Sequence, residues 1–248
     1  MRLAPKRREM VILGMALVVV LVAGAWRMNG RHDFSAAGDS YFPLRPGWQW
    51  EYALHITTAD GASRARYFLT NLQPYRIGGT VTMPRRTPAG ETYFYVEDAG
   101  GVQRVAELMA GQALKTYAAP QTVLQYPPAA GARWQAKTRT AVLQVISHTE
   151  GKLFRVEAPL MLNYVVDSTD DTVTVPAGRF VHCLRVQAQG KTIADLRRHL
   201  GVIEVRVSST QWYAPGVGLV KAERREVAPF STLPAGEYDM ELAALRRR

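Results

Sequence analysis

The sequence predicts a mainly β protein, an antiparallel sheet built as a half-barrel or a sandwich, preceded by one N-terminal transmembrane or signal helix. Three observations predict it. From Tyr41 onward, apolar residues recur with a period of two. Short runs of this kind are separated by turn signals, among them Asp60-Gly61, Gly78-Gly79, Gly100-Gly101, Glu150-Gly151 and Pro215-Gly216. Ahead of them, residues 10–26 are seventeen uncharged positions that follow Arg2, Lys6, Arg7 and Arg8.

That first segment makes a helix of about 25 Å, against a hydrocarbon core of about 30 Å. Basic residues before an apolar run hold the N-terminus in the cytoplasm while the remainder crosses. We read residues 10–26 as a retained single-pass anchor in a bacterial inner membrane, with the following domain in the periplasm. The alternative is a cleaved signal, because Ala23-Gly24-Ala25 offers the small-x-small pattern of a cleavage site after Ala25. Both readings place the domain outside the cytoplasm. With no cysteine nearby, lipid modification of this segment is excluded.

Residues 27–40 are polar, lack periodicity and read as a tether. Residues 41–227 read as one extracytoplasmic β-domain. Its clearest strand alternates Trp48, Trp50, Tyr52, Leu54 and Ile56 with Gln49, Glu51, Ala53, His55 and Thr57. Further strands are expected at 65–72, 79–83, 91–97, 102–108, 139–146, 172–175, 180–188, 202–207, 210–213 and 219–227. Residues 193–200 suggest a helical turn or two. In the tail, 228–248, a short C-terminal helix is expected over 237–248, because Glu237 and Asp239 precede Arg246–Arg248 in the order a helix dipole favours.

One pattern occurs twice. Phe42-Pro43-x3-Gly47-x2-Trp50 returns as Tyr126-Pro127-x3-Gly131-x2-Trp134, 84 residues later. Either two related halves of the domain meet near 120–128, or two turns share their chemistry.

Net charge is +10, but six basic residues and one acid lie within the first 31 positions, so half of the excess flanks the apolar segment. Basicity therefore does not point to nucleic acid. A single cysteine, Cys183, excludes an internal disulfide and a multi-cysteine metal site, and inside a strand it reads as a small buried hydrophobe.

No catalytic motif is present: there is no G-x-S-x-G, phosphate-binding glycine loop or HExxH. His32, His55, His148, His182 and His199 lack metal-ligand spacing, and the pair His148 and Glu150 is too small a set. Asp167, Asp170 and Asp171 lack the glycine and distal glutamate of a calcium loop and read as a solvated turn. We expect no enzyme, cofactor or metal.

Three segments carry a resemblance. They are Tyr41-Phe-Pro-Leu-x-x-Gly-x-x-Trp-x-Tyr52, the run from Thr174 to Val186 around Val175-Pro-Ala-Gly178, and Trp212-Tyr-Ala-Pro-Gly-Val-Gly-Leu-Val220. Together they resemble a broad group of uncharacterised bacterial envelope proteins and lipoproteins sharing an antiparallel β-domain of unknown function. The resemblance implies a half-barrel like those of lipoprotein carriers, although the acylated cysteine of the lipoprotein members is missing here. The motifs also explain themselves as architecture. Proline at the first and glycine at the second central position of 214–217 suit a type II turn. Alternation puts Phe180, His182, Leu184 and Val186 on one face, with Cys183 and Arg185 opposite.

The aromatics offer the best candidate surface: Trp48, Trp50, Tyr52, Tyr93, Tyr95, Trp134, Trp212 and Tyr213, with Phe94 beside them. Such residues either line a concave face that holds a partner or an acyl chain, or fill the core. The sequence thus leads to a non-enzymatic, membrane-tethered β-domain that docks an envelope protein partner. The alternative is a carrier or sensor holding a lipid or other apolar ligand in a half-barrel.

Overall fold

A computed structural model describes residues 40–146, 153–196 and 201–247. The anchor 10–26, the tether through residue 39, and His32, His148 and His199 lie outside the described residues.

The described chain is antiparallel β-structure. Seven strands come first: β1 (Gln49–Thr58), β2 (Gly61–Asn71), β3 (Tyr75–Ile77), β4 (Thr80–Arg86), β5 (Thr92–Asp98), β6 (Gly101–Leu108) and β7 (Lys115–Gln125). They are followed by β8 (Arg133–Arg139), β9 (Gln144–Ile146), β10 (Leu153–Arg155) and β11 (Pro159–Val175). The last four are β12 (Gly178–Leu196), β13 (Gly201–Ala214), β14 (Gly218–Val227) and β15 (Gly236–Arg246).

The order across the main sheet is β7-β6-β5-β4-β2-β1-β15-β14-β13-β12-β11-β8, with β3 beside β4 and β9–β10 forming a separate pair. The chain therefore starts mid-sheet, meanders to one edge, crosses to the other and meanders back to finish against its own first strand. The crossing dictates the shape. Laid flat, twelve strands would hold the edges about 53 Å apart at about 4.8 Å per strand. The connection 126–132 reaches less than about 30 Å even when extended. The sheet must curl, and it does so into a nearly closed barrel whose two edge strands approach without forming a ladder.

Alternation decides which residues fill the interior. Trp50, Tyr52 and Leu54 of β1, Tyr67 and Leu69 of β2, and Tyr238, Met240 and Leu242 of β15 all point inward and are buried. The outer face carries cross-strand ion pairs: Arg66 to Glu51, Lys191 to Glu204 and Lys221 to Glu241.

Several expectations need correction. Residues 237–246 form no helix but the strand β15, paired with both β1 and β14. The tail is thus mid-sheet, and the β-domain runs on past residue 227. Residues 193–196 end β12, and the remainder of the expected turn at 197–200 lies outside the described residues. The strand expected at 139–146 is two strands with a bend between them. The runs 202–207 and 210–213 are one strand, while 172–175 and 180–188 are parts of β11 and β12, which are far longer. The solvated turn expected at 167–171 is strand too, broken by register shifts on either side of Ser168 and after Asp171. His182 has φ 54 and is exposed, so the expected face of Phe180, His182, Leu184 and Val186 is interrupted. Cys183 and Leu184 are instead buried side by side.

The repeated aromatic-proline pattern takes one backbone form twice. Gly47 has φ 77 and Gly131 φ 84. The Gly47 N–H donates to Asn71 O while Asn71 N–H donates to Trp48 O; likewise Gly131 N–H donates to Val166 O while Val166 N–H donates to Ala132 O. Two residues oppose one, with glycine in the left-handed region, which makes each copy a G1 bulge. One bulge leads into β1 and the other into β8.

Candidate functional site

The predicted aromatics do not form one surface. Trp48, Trp50, Tyr52, Tyr93, Tyr95 and Tyr213 are each at most 8% exposed. Phe94 is buried as well and packs on Tyr75. Trp134 points inward and stacks on Tyr164, with ring centroids 5.3 Å apart and planes 3° from parallel. Trp212, one residue before Tyr213, faces outward, where its Nε1 donates to Asp171 Oδ2 at 3.1 Å.

At the centre of the N-terminal aromatics lies a residue the sequence did not single out. The Arg85 guanidinium sits 4.8 Å from the ring centroids of both Phe42 and Trp50, and 5.7 Å from that of Tyr95. It donates to Asn71 Oδ1 at 2.7 Å and to Pro43 O at 2.9 Å. Asn71 in turn donates to Pro43 O and Arg45 O. The pair pins the segment leading into β1 onto the sheet, and burial pulls Arg85 down to about 10.

A second buried cluster shapes the C-terminal half. β8 with β9, and β10 with β11, run as one long antiparallel pair that bends at 140–143. At the bend the Glu226 carboxylate, 0% exposed, accepts the backbone N–H groups of Ala141, Val142 and Leu143 at 2.8 to 3.0 Å. Arg224 pairs with Glu226 at 2.8 Å and donates to Arg139 O at 2.7 Å. Gly236 admits the bend, since a Cβ there would stand 2.4 Å from the Val142 carbonyl. Ala141, Val142, Leu143 and Val145 thereby become core.

The acidic run 167–171 is occupied by protein partners. Arg185 bonds Asp167 at 2.6 Å and Asp171 at 2.8 Å, and the His182 ring meets Asp170 at 2.5 Å. Among the described residues no three His, Cys, Asp or Glu side chains converge as metal ligands. Cys183 is buried, and desolvation followed by the Asp171 charge raises its thiol to about 12.

The groove that can receive something is on the outer face. A depression of about 660 Å³ crosses β8, β11, β12, β13 and β14, lined by Gln135, Asn163, Gln189, Lys191, Arg206 and Arg225 among others. A neighbouring one of about 520 Å³ shares Gln135, Asn163 and Gln189 and adds Arg133. Their lining holds four cations and no acidic side chain. Glu204, which pairs with Lys191 and Arg206, and Glu237, which pairs with Arg225, lie outside it. Beneath, Gly190 lets β12 close on β11: a Cβ would meet Met161 O at 2.3 Å. The amides Gln135 and Asn163 hydrogen-bond at 2.7 Å, leaving a polar floor with basic walls.

No protein-family model matches this chain, and no curated protein matches it. Two solved structures are similar over 84% of its length. A candidate lipoprotein from Parabacteroides distasonis is 14% identical, covered over 99% of its own chain, with a TM-score of 0.41. A candidate exported protein with a YmcC-like fold from Bacteroides fragilis is 15% identical, covered over 100%, with a TM-score of 0.39.

Proposed function

We propose that this chain is a non-catalytic envelope protein, anchored in the inner membrane by residues 10–26, whose periplasmic β-domain docks a protein partner on its outer face. The observation that carries this reading is the groove beside β8, where a row of amides lies among four cations. Only two acids, Glu204 and Glu237, pair with three of them from outside the lining, and Arg133 is left over. Such a surface favours a negatively charged, hydrogen-bonding partner. The carrier reading asks for an open apolar interior. The inward side chains of β1, β5, β11 and β14 are instead packed core, so it draws no support from them.

The test is site-specific photocrosslinking in cells. A benzoylphenylalanine at Gln189 or Ser208, both in the groove, is expected to give one discrete protein adduct. The same group at Thr57, on the outer face away from the groove, is expected to give none. Equal labelling from all three positions, or no adduct from the groove, would sink the proposal. Mass spectrometry of the mature N-terminus tests the anchor, which predicts an uncleaved chain rather than one starting at Trp26.

A further inference from the structure

The main sheet is unfinished between β7 and β8. At β7 the register with β6 breaks, and Ala118, Ala119 and Pro120 are exposed. A bulged strand with a proline is a poor ladder partner, which leaves the edge of β8 without a ladder although β7 approaches it.

The register with β11 shows which way the β8 backbone points. Thr140 N–H donates to Ala158 O and Val166 N–H donates to Ala132 O, so even-numbered positions turn their backbone groups toward β11. Arg139 lies opposite Pro159, a residue without an N–H, as a non-hydrogen-bonded pair requires. Arg133, Gln135 and Lys137 therefore direct N–H and C=O to the open edge, and Arg139 directs its N–H there while its carbonyl accepts from Arg224. The same four side chains are exposed on the outer face, and none of the three cations has an ion pair among the described residues. On the inner face of the strand, Thr138 Oγ1 is enclosed without a hydrogen-bond partner in a residue 7% exposed, and Trp134 Nε1 is likewise unpartnered. Enclosed polar groups are ordinarily bonded.

From these features we infer that the edge of β8 accepts an extended segment of the partner protein as an added strand, with acidic side chains at alternate positions. This rests on the docking reading and names the kind of partner it needs. Backbone pairing to 133, 135 and 137 sets the register. Acidic residues then stand cross-strand from Arg133, Lys137 and Arg139, about 5 Å away between Cβ atoms. The intervening residues turn to the side of the strand that carries Trp134, Ala136 and Thr138, where a hydroxyl side chain is the match for the unpartnered Thr138 Oγ1. A second copy of this chain is a poor occupant, because edge-to-edge pairing would set cation against cation.

The full chain in detergent micelles is titrated with a labelled short peptide in which glutamate alternates with valine and threonine, followed by fluorescence anisotropy. The comparison probes are a peptide of the same composition with its glutamates in one block and a peptide with lysine for glutamate. Saturable, salt-sensitive binding of the alternating peptide alone is expected. Gln135→Pro removes an N–H from the open edge and keeps the β11 backbone ladder and every charge. It also loses the Gln135–Asn163 bond, so Gln135→Ala, which loses that bond and keeps the N–H, is its reference. Relative to Gln135→Ala it should weaken binding about tenfold with the circular dichroism unchanged. Reversing all three cations (Arg133→Glu, Lys137→Glu, Arg139→Glu) should transfer binding to the lysine peptide, an outcome that does not depend on the proline variant folding. Binding by the block peptide equal to that of the alternating one, binding by Gln135→Pro equal to that of Gln135→Ala, or no binding at all would overturn the inference. Groove crosslinks that persist in Gln135→Pro would remove strand addition while leaving the docking reading intact.

Discussion

Two ion pairs on opposite faces of the sheet have nearly the same geometry. Arg224 and Glu226 stand 2.8 Å apart on the inner face with side chains 4% and 0% exposed; Arg66 and Glu51 stand 2.6 Å apart on the outer face with side chains 75% and 10% exposed. Distance alone would rank them together. Solvent separates them, because water screens and hydrates Arg66 while the largely covered Glu51 has Arg246 as a second cation, whereas the inner carboxylate has only Arg224 and three backbone donors to satisfy it. The inner face therefore uses charge to hold shape, and the outer face leaves charge available for recognition.

Alkali is the broadest way to break the inner face. Burial pushes the phenols of Tyr52, Tyr67, Tyr93, Tyr213 and Tyr238 well above their ordinary value of 10. A folded pKa raised above the unfolded one gives stability that is complete below pH 10 and is lost as pH climbs beyond it. Arg85 has the opposite sign: burial lowers it to about 10, so its contribution to stability is regained as pH climbs past that value. One arginine opposes seven buried tyrosines, so the balance is loss. Phenolate absorbance should appear cooperatively, together with the collapse of the β circular dichroism. A gradual rise to the full phenolate absorbance of all eleven tyrosines with the fold intact would mean that water reaches the inner face.

Glu226→Gln should cost about 3–5 kcal/mol, the scale for removing one partner of a buried pair. A carboxamide keeps one acceptor oxygen and offers an NH₂ to groups that are themselves donors. The urea midpoint should fall, and the amides of Ala141, Val142 and Leu143 should exchange faster than the ladder of β1 with β2. Gly236→Ala probes the same bend from β15 and should cost about 1–3 kcal/mol, since the new methyl must displace the Val142 backbone. A stability within experimental error of wild type would show that the bend is not pressed against β15.

What the sequence disclosed follows the same division between local and distant causes. β1 was legible because five apolar residues alternate without interruption, and the Pro215-Gly216 turn because its chemistry is local; Gly216 has φ 63 and Val217 N–H closes on Ala214 O. β15 was missed although Tyr238, Met240 and Leu242 alternate. Its charge order mimics a helix, and Ala243 is an extra residue where Leu242 pairs Tyr52 and Ala244 pairs Glu51. β7 was hidden by Pro120, which the bulge accommodates. The bend at 140–143 depends on a carboxylate some 85 positions away, which no local pattern announces. Aromatic content pointed to important positions but not to a face: Trp212 and Tyr213 are neighbours that point in opposite directions. The alternating cations of β8 are visible in the sequence, yet only the strand order makes them an edge.

The smallest expected effect gives the comparison its lower limit. Arg66→Ala should change stability by only about 0.2–1 kcal/mol, as exposed pairs do. Glu51 keeps a second cation, Arg246, at 3.5 Å, so no carboxylate is stranded. Added salt should shrink the effect further, because it screens the pair that remains. Urea titrations of Arg66→Ala and Glu226→Gln at low and high salt make the contrast sharp: only the first difference should fade. If Arg66→Ala proved as costly as Glu226→Gln and equally indifferent to salt, exposure would not be what separates the two faces, and the outer charges would be structural rather than free to meet a partner.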